Sequence, residues 1–314
     1  MRFEKSPSYF FQYAGLKTAC WCLRALPYKA ACTLGRFLTG TLAVWVMHKR
    51  FKRSMHDIQL AFPDKSPQQV KQIAQASWSN MGQILAEFVH LSAMTREEFL
   101  KRVEVRGAEK LFRARQQKTG GIVHIGHFTN WEAFGLAAGA IGLEANVMAQ
   151  RVDNPYVDQE TNRLRHIFGG KTLYSNHEDN PFFATIRLLK KGQLIGILTD
   201  QNASSSQVYM HFLGRIASIS PITSLLAIKL QIPIFPVIVT REKNGHLICT
   251  VEDPVFPPKE YSQENIRIFT RKLTDIYERW VRSAPDSWLW AHNRWKQEED
   301  GKRWFAENPE CKIP

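Results

Sequence analysis

His127 and Glu132 stand five residues apart in "GGIVHIGHFTNWEAFG" (120–135), where an apolar run gives way to an Ala-rich segment. An imidazole beside a carboxylate can serve as a general base whose partner fixes the ring tautomer and stabilises the imidazolium. The spacing alone identifies nothing. In a chain with ten histidines and 29 acidic residues, about one H-x-x-x-x-[DE] match arises by chance, and one occurs.

Context adds more. "GGIVHI" predicts a buried strand and "NWEAFGLAAGA" a helix, which puts His127 in the turn at the strand's carboxyl end and Glu132 in the first helical turn. On one continuous helix the two would point about 140° apart; with His127 in the loop, both can face one substrate. The helix start also offers unpaired N–H groups to a developing oxyanion. Both residues have readings without chemistry. Thr129-x-x-Glu132 reads as a capping box, and a turn histidine can simply bond to backbone.

Other chemistries fit less well. There is no G-x-S-x-G elbow, and "GGKT" (169–172) lacks the earlier glycine of a phosphate loop, with Arg165 in its place. His124 and His127 are split by the strand-to-loop break, which argues against shared metal coordination, so no metal and no cofactor are expected.

The elements that must position the pair alternate along the chain. "GGIVHI", "EANVMA", "QLIGILT", "PIFPVIVT" and "HLICTVE" predict strands; "NPYVDQETNRLRHIF", "NPFFATIRLLKKG", "SPITSLLAIKL" and "SQENIRIFTRKLTDIYERWVRS" predict helices. Ser66 before Pro67 predicts a capped helix start. The alternation implies an α/β fold with a largely parallel central sheet flanked by helices, where sites gather at the strands' carboxyl ends.

Residues 5–56 differ from the rest. They hold nine basic residues and no acid, interleaved with "SYFFQYAGL", "TACWCL" and "FLTGTLAVWVMH". The longest stretch there without Lys or Arg, residues 37–48, is 12 residues long, short of the ~18 that a spanning helix needs. No small-residue cleavage site follows, so a removed signal peptide is not expected. Pro27 predicts a break between two helices, each with basic residues seven apart (Lys17 and Arg24; Lys29 and Arg36). Basic side chains on one face and Trp, Phe and Leu on the other describe helices lying in a membrane interface. The expected division is therefore 1–56, a membrane-associated helical region, and 57–314, an α/β domain.

The formal net charge of +13 favours anionic partners: phospholipid headgroups, an acidic carrier protein or nucleic acid. No nucleic-acid motif accompanies the charge, which disfavours the last. Five cysteines without C-x-x-C spacing suit a reducing compartment and packing roles.

Five blocks together resemble a known family. "GHFTNWE", "AQRVDNPYVDQETNRLR", "GILTDQN", "IPIFPVIV" and "SWLWAHNRWK", spread over roughly residues 34–296, are similar in order and spacing to the bacterial lipid A late acyltransferases (lauroyl/myristoyl transferases) of the glycerolipid and lysophospholipid acyltransferase superfamily. The segment "NASSSQVYMHFLGRIAS" departs from the family in having less glycine and phenylalanine. The resemblance implies a glycerolipid acyltransferase-like fold and transfer of a fatty acyl chain from acyl carrier protein to a hydroxyl of a phosphorylated glycolipid, on the cytoplasmic face of the inner membrane. It puts His127 and Glu132 on the catalytic pair and Arg151 and Arg163 on basic substrate-binding positions, with Arg165 nearby. Asp200 and Gln201 fall on an Asp-Gln/His pair expected to organise the pocket floor. Trp288, Trp290 and Trp295 read as packing or interface rather than acyl recognition. Another membrane-lipid acceptor, such as a lysophospholipid or glycolipid served from acyl-CoA, is the alternative.

Overall fold

The computed structural model describes residues 6–174, 181–204 and 208–309. Helices open the chain: α1 (Pro7–Ala25), α2 (Tyr28–Phe37), which runs through a π-helical segment (Leu38–Ala43) into a short α3 (Val44–Val46), and then α4 (His48–Ala61). Next come α5 (Pro67–Leu91), α6 (Arg96–Leu100), β1 (Val103–Arg106) and α7 (Ala108–Gln116). The central alternation is β2 (Gly121–Ile125), α8 (Trp131–Ala140), β3 (Ala145–Ala149), α9 (Pro155–Arg165), β4 (Lys171–Tyr174), α10 (Pro181–Lys190) and β5 (Leu194–Leu198). A hairpin of β6 (Val208–Phe212) and β7 (Arg215–Ile219) precedes α11 (Ile222–Leu230), β8 (Ile234–Arg241), β9 (Leu247–Val251), α12 (Gln263–Ser283) and α13 (Glu298–Glu307).

The main sheet has the order β1-β9-β8-β2-β5-β3-β4. From β8 to β4 neighbouring strands are parallel, as the strand–helix alternation requires. β9 is antiparallel to β8, because the few residues between them can join only antiparallel neighbours. Both faces are covered, so the strands read as apolar runs rather than alternating patterns. Ile122, Ile195 and Ile234 pack against Leu226, Phe269 and Leu273 of α11 and α12. Val123, Ile125 and Val237 pack on the other side against Phe134 and Ala137 of α8 and Phe88 of α5. Short β1 and β4 and the β6–β7 hairpin were not anticipated.

Pro27 does break the first helical region, and Ser66 caps α5 in a capping box with Gln69, a cap worth about 1 kcal/mol. The boundary expected at residue 56 falls inside α4, whose Phe51, Ser54, Asp57 and Ile58 are buried. α2 crosses α5 with Gly35 against Gly82; a Cβ on either would collide with the other's carbonyl. Several basic side chains of these helices are also tied to the rest of the protein. Lys17 pairs with Glu160 at 3.0 Å, Arg24 donates to the Val89 carbonyl, Arg36 to Gln83 and Arg53 to the Ala291 carbonyl. Aromatic residues point outward as well: Phe11, Trp21 and Trp45 are 70–80% exposed, with Lys29, Lys49, Arg50 and Lys52 also exposed. Among the described residues no single helix is long and apolar enough to cross a membrane; the bent pair formed by Tyr28–Val46 and His48–Ala61 has the length and composition to do so only together. Lys5 and Cys311 lie outside the described residues, and the four described cysteines are free.

Candidate active site

Parallel register builds the centre of the site. β2 and β5 are adjacent, with Ile125 opposite Leu198. Two residues further along each chain come His127 and Asp200, at the same level beyond the sheet's carboxyl end. The Nδ1 of His127 lies 2.8 Å from Asp200 Oδ1, and the His127 backbone N–H donates to Oδ2 at 2.8 Å. The Trp288 indole N–H also donates to Oδ2, at 2.9 Å. Asp200 is fully buried, while the His127 side chain keeps 17% exposure. Burial alone would raise the Asp200 carboxyl; the His127 charge and the three donors outweigh it and bring the carboxyl down to about 2. A carboxylate accepting from Nδ1–H fixes the tautomer that leaves Nε2 as the basic nitrogen.

The histidine's loop is pinned from a second side. Phe128 bridges to Trp288, the Thr129 N–H donates to the Ser287 carbonyl at 2.9 Å, and the Leu289 N–H donates to the His127 carbonyl at 3.1 Å. Trp288, Trp290 and Trp295 are buried, in keeping with packing, but Trp288 also serves the site directly. His292, in the same segment, accepts from the Asn202 N–H, and burial lowers its imidazole to about 4. Neighbouring Arg294 is fully buried, donates to the Ser218 carbonyl and is lowered by burial to about 10.

Glu132 is not the partner of His127. Both of its oxygens are taken by Arg165, Nε at 2.8 Å and Nη2 at 2.5 Å, and no hydrogen bond joins it to the imidazole. The capping box expected from Thr129 does not form either. Thr129 has φ 49°, in the left-handed region, and the helix cap is Asn130, whose Oδ1 accepts from the Ala133 N–H at 3.2 Å. Glu132, in the first turn of α8, meets Arg165 at the end of α9. His124 is no companion to His127: its ring nitrogens meet the Leu273 carbonyl and the Tyr277 hydroxyl inside the core.

The three arginines gather around α9. Arg151 stacks over Tyr174, 4.6 Å from the ring centroid, with Asp158 3.7 Å away. Arg151, Arg163, His166 and Tyr174 line a cleft of about 450 Å³ together with Asn162 and Asp158. Arg163 is half-exposed and chelated by Glu160, which Lys17 of α1 also holds; these cations bring the Glu160 carboxyl down to about 2. Gln201 follows Asp200 and is half-buried. Thus the structure joins His127 to Asp200 and Glu132 to Arg165, and sets Arg151 and Arg163 in one cleft along α9. The roles of Asp200 and Trp288 toward His127 escaped the sequence reading, although the equal offset of "HIGH" and "ILTD" from paired strands contains the first.

Comparison with known proteins places the chain in a family. Residues 3–297 match the family described as bacterial lipid A biosynthesis acyltransferase. A lipid A biosynthesis acyltransferase of Haemophilus influenzae is 25% identical over 273 residues, covering 84% of this chain and 82% of its own. The lipid A biosynthesis lauroyltransferase and palmitoleoyltransferase of Escherichia coli are 24% and 22% identical, each alignment covering 94% of both chains. The crystal structure of a 1-acyl-sn-glycerophosphate acyltransferase from Thermotoga maritima aligns with a TM-score of 0.38 at 15% identity, over 80% of this chain and 95% of that one, a likeness too slight to bear on the site. With nearly its whole length matched, the chain belongs to the bacterial lipid A biosynthesis acyltransferase family and is an acyltransferase.

Proposed function

We propose that the protein transfers a fatty acyl chain from acyl carrier protein to a hydroxyl of a lipid A precursor, at the cytoplasmic face of the inner membrane, with His127 as general base. The observation that carries this reading is the His127–Asp200 contact at the tips of two adjacent parallel strands. Nε2 removes the acceptor hydroxyl proton as its oxygen attacks the thioester carbonyl. The tetrahedral oxyanion collapses, the C–S bond breaks, and the imidazolium returns the proton to the leaving thiolate. The products are an ester and a free carrier thiol. Asp200 holds the tautomer and stabilises the imidazolium without itself taking the proton.

Glu132 fixes the Arg165 guanidinium, and Arg165, Arg151 and Arg163 bind phosphate of the lipid or of the carrier's pantetheine arm. The outward aromatics of α1 and α3, with Lys29, Lys49, Arg50 and Lys52, support seating on an anionic lipid surface, where each nearby cation is worth about 1 kcal/mol. The test is a reconstituted reaction with acyl-carrier and acyl-CoA donors and a panel of lipid acceptors, the products identified by mass spectrometry. His127→Ala is expected to lose about 10²- to 10⁴-fold in turnover while staying folded. Near-normal turnover in that variant refutes the base assignment, and transfer only from acyl-CoA refutes the donor.

A further inference from the structure

One face of α5 carries a polar stripe that the reaction scheme does not use. Ser77, Asn80, Gln83 and Glu87 follow one another at three- and four-residue spacing and are all buried. Glu87, fully buried, accepts four hydrogen bonds. At Oε1 the donors are Gln83 Nε2 (2.9 Å) and Arg241 Nε (2.7 Å); at Oε2 they are Arg241 Nη2 (2.7 Å) and Asn130 Nδ2 (2.9 Å). Arg241 Nη1 donates to Asn80 Oδ1 at 2.8 Å, and Asn80 Nδ2 donates to the Thr129 carbonyl at 3.0 Å. Ser77 donates to the Trp288 carbonyl at 2.5 Å. The stripe therefore grips both chains that frame His127.

A buried, fully satisfied ion pair is a poor stabiliser compared with packed apolar side chains, so added stability is a weak reason for this one. Its outputs are more telling. Thr129 is a β-branched residue at φ 49°, a conformation that persists only when its surroundings enforce it. Asn130 must turn its oxygen to the Ala133 N–H to cap α8, and the Glu87 carboxylate selects that orientation by claiming the amide nitrogen. These two residues lie between His127 and Glu132. We infer that Glu87, acting through Asn130 and assisted by Arg241 and Asn80, is a positioning residue that sets the His127 loop and directs Glu132 to Arg165. The inference rests on the base reading of His127. The chain of contacts continues outward as well, since Gln83 Oε1 accepts from Arg36 of α2 at 2.9 Å, so the loop's support starts at the outward-facing helices.

The test uses the full-length enzyme in detergent or vesicles, measuring kcat, KM and thermal midpoint. Asn130→Ser keeps a good cap residue but cannot bond to Glu87; kcat should fall about 10- to 100-fold with KM and midpoint little changed. Asn130→Asp keeps the cap and sets a carboxylate against Glu87, with a larger loss. Adding Glu87→Gln to Asn130→Asp removes the repulsion and keeps one carboxylate in the network, and should recover at least tenfold of that loss. If Asn130→Ser retains full kcat, or if the double variant recovers only the thermal midpoint, the network is structural and the inference fails. Activity in His127→Ala would instead overturn the base reading, whatever the Asn130 variants do.

Discussion

Two charged centres, at the sheet's tip and around α9, are built on opposite principles. At the tips of β2 and β5 the His127–Asp200 pair is held by strand register, the carboxylate is wholly buried, and three donors converge on it. Around α9 the arginines are part-exposed, each leans on a carboxylate, and Arg151 and Arg163 line a cleft. A rigid, dry centre suits a proton transfer that needs fixed geometry. A more exposed set of ion pairs suits exchange, because part-exposed guanidiniums held by Glu132, Asp158 and Glu160 can trade those carboxylates for another anion.

That contrast can be broken at several points. Asp200→Asn should be the most damaging after His127→Ala, lowering kcat by about 10²-fold or more through loss of the tautomer and of the imidazolium's counter-charge. A small loss would move the chemistry away from the sheet tip. Glu132→Gln frees Arg165 without touching Asp200, so kcat/KM should fall by about tenfold, carried mostly by KM. If it matches Asp200→Asn in kcat, the two centres are one. Arg163→Ala is expected to raise KM by about tenfold or less with kcat unchanged; steady-state kinetics against lipid acceptor decide it.

The smallest effect concerns stability against pH. Burial lowers His124 and His292 to about 4 from an ordinary 6.5. Between those values the unfolded chain takes up protons that the folded chain refuses, so stability should decline as pH falls from 6.5 toward 4. Asp200, lowered to about 2 from an ordinary 3.8, adds a loss of the same sign that begins only below about pH 5. Urea titrations at pH 7 and 5 should show a smaller difference for His124→Gln than for the parent chain.

The α/β fold was largely legible, because each predicted strand is a β-rich apolar run bounded by turn residues, and Pro27 and Ser66 punctuate as their chemistry demands. The short strands β1 and β4 carry too few residues to show a period. The site was half legible. His127 sits where "GGIVHI" must end, but its partner came from a strand 73 residues away, which spacing along one motif cannot reveal. Thr129 misled, since a threonine three residues before a glutamate caps helices in general, and here tertiary contacts force it left-handed and pass the cap to Asn130. The first helices also hold ties that no local pattern shows: Arg24, Arg36 and Arg53 donate to carbonyls and an amide elsewhere in the chain.

The glycine-on-glycine crossing of α2 and α5 makes that junction brittle. Even one added methyl group would wedge the helices apart, drawing Arg36 off Gln83 and loosening the scaffold behind the imidazole. Lesions that silence the enzyme should therefore surface in a stretch holding no reactive group at all.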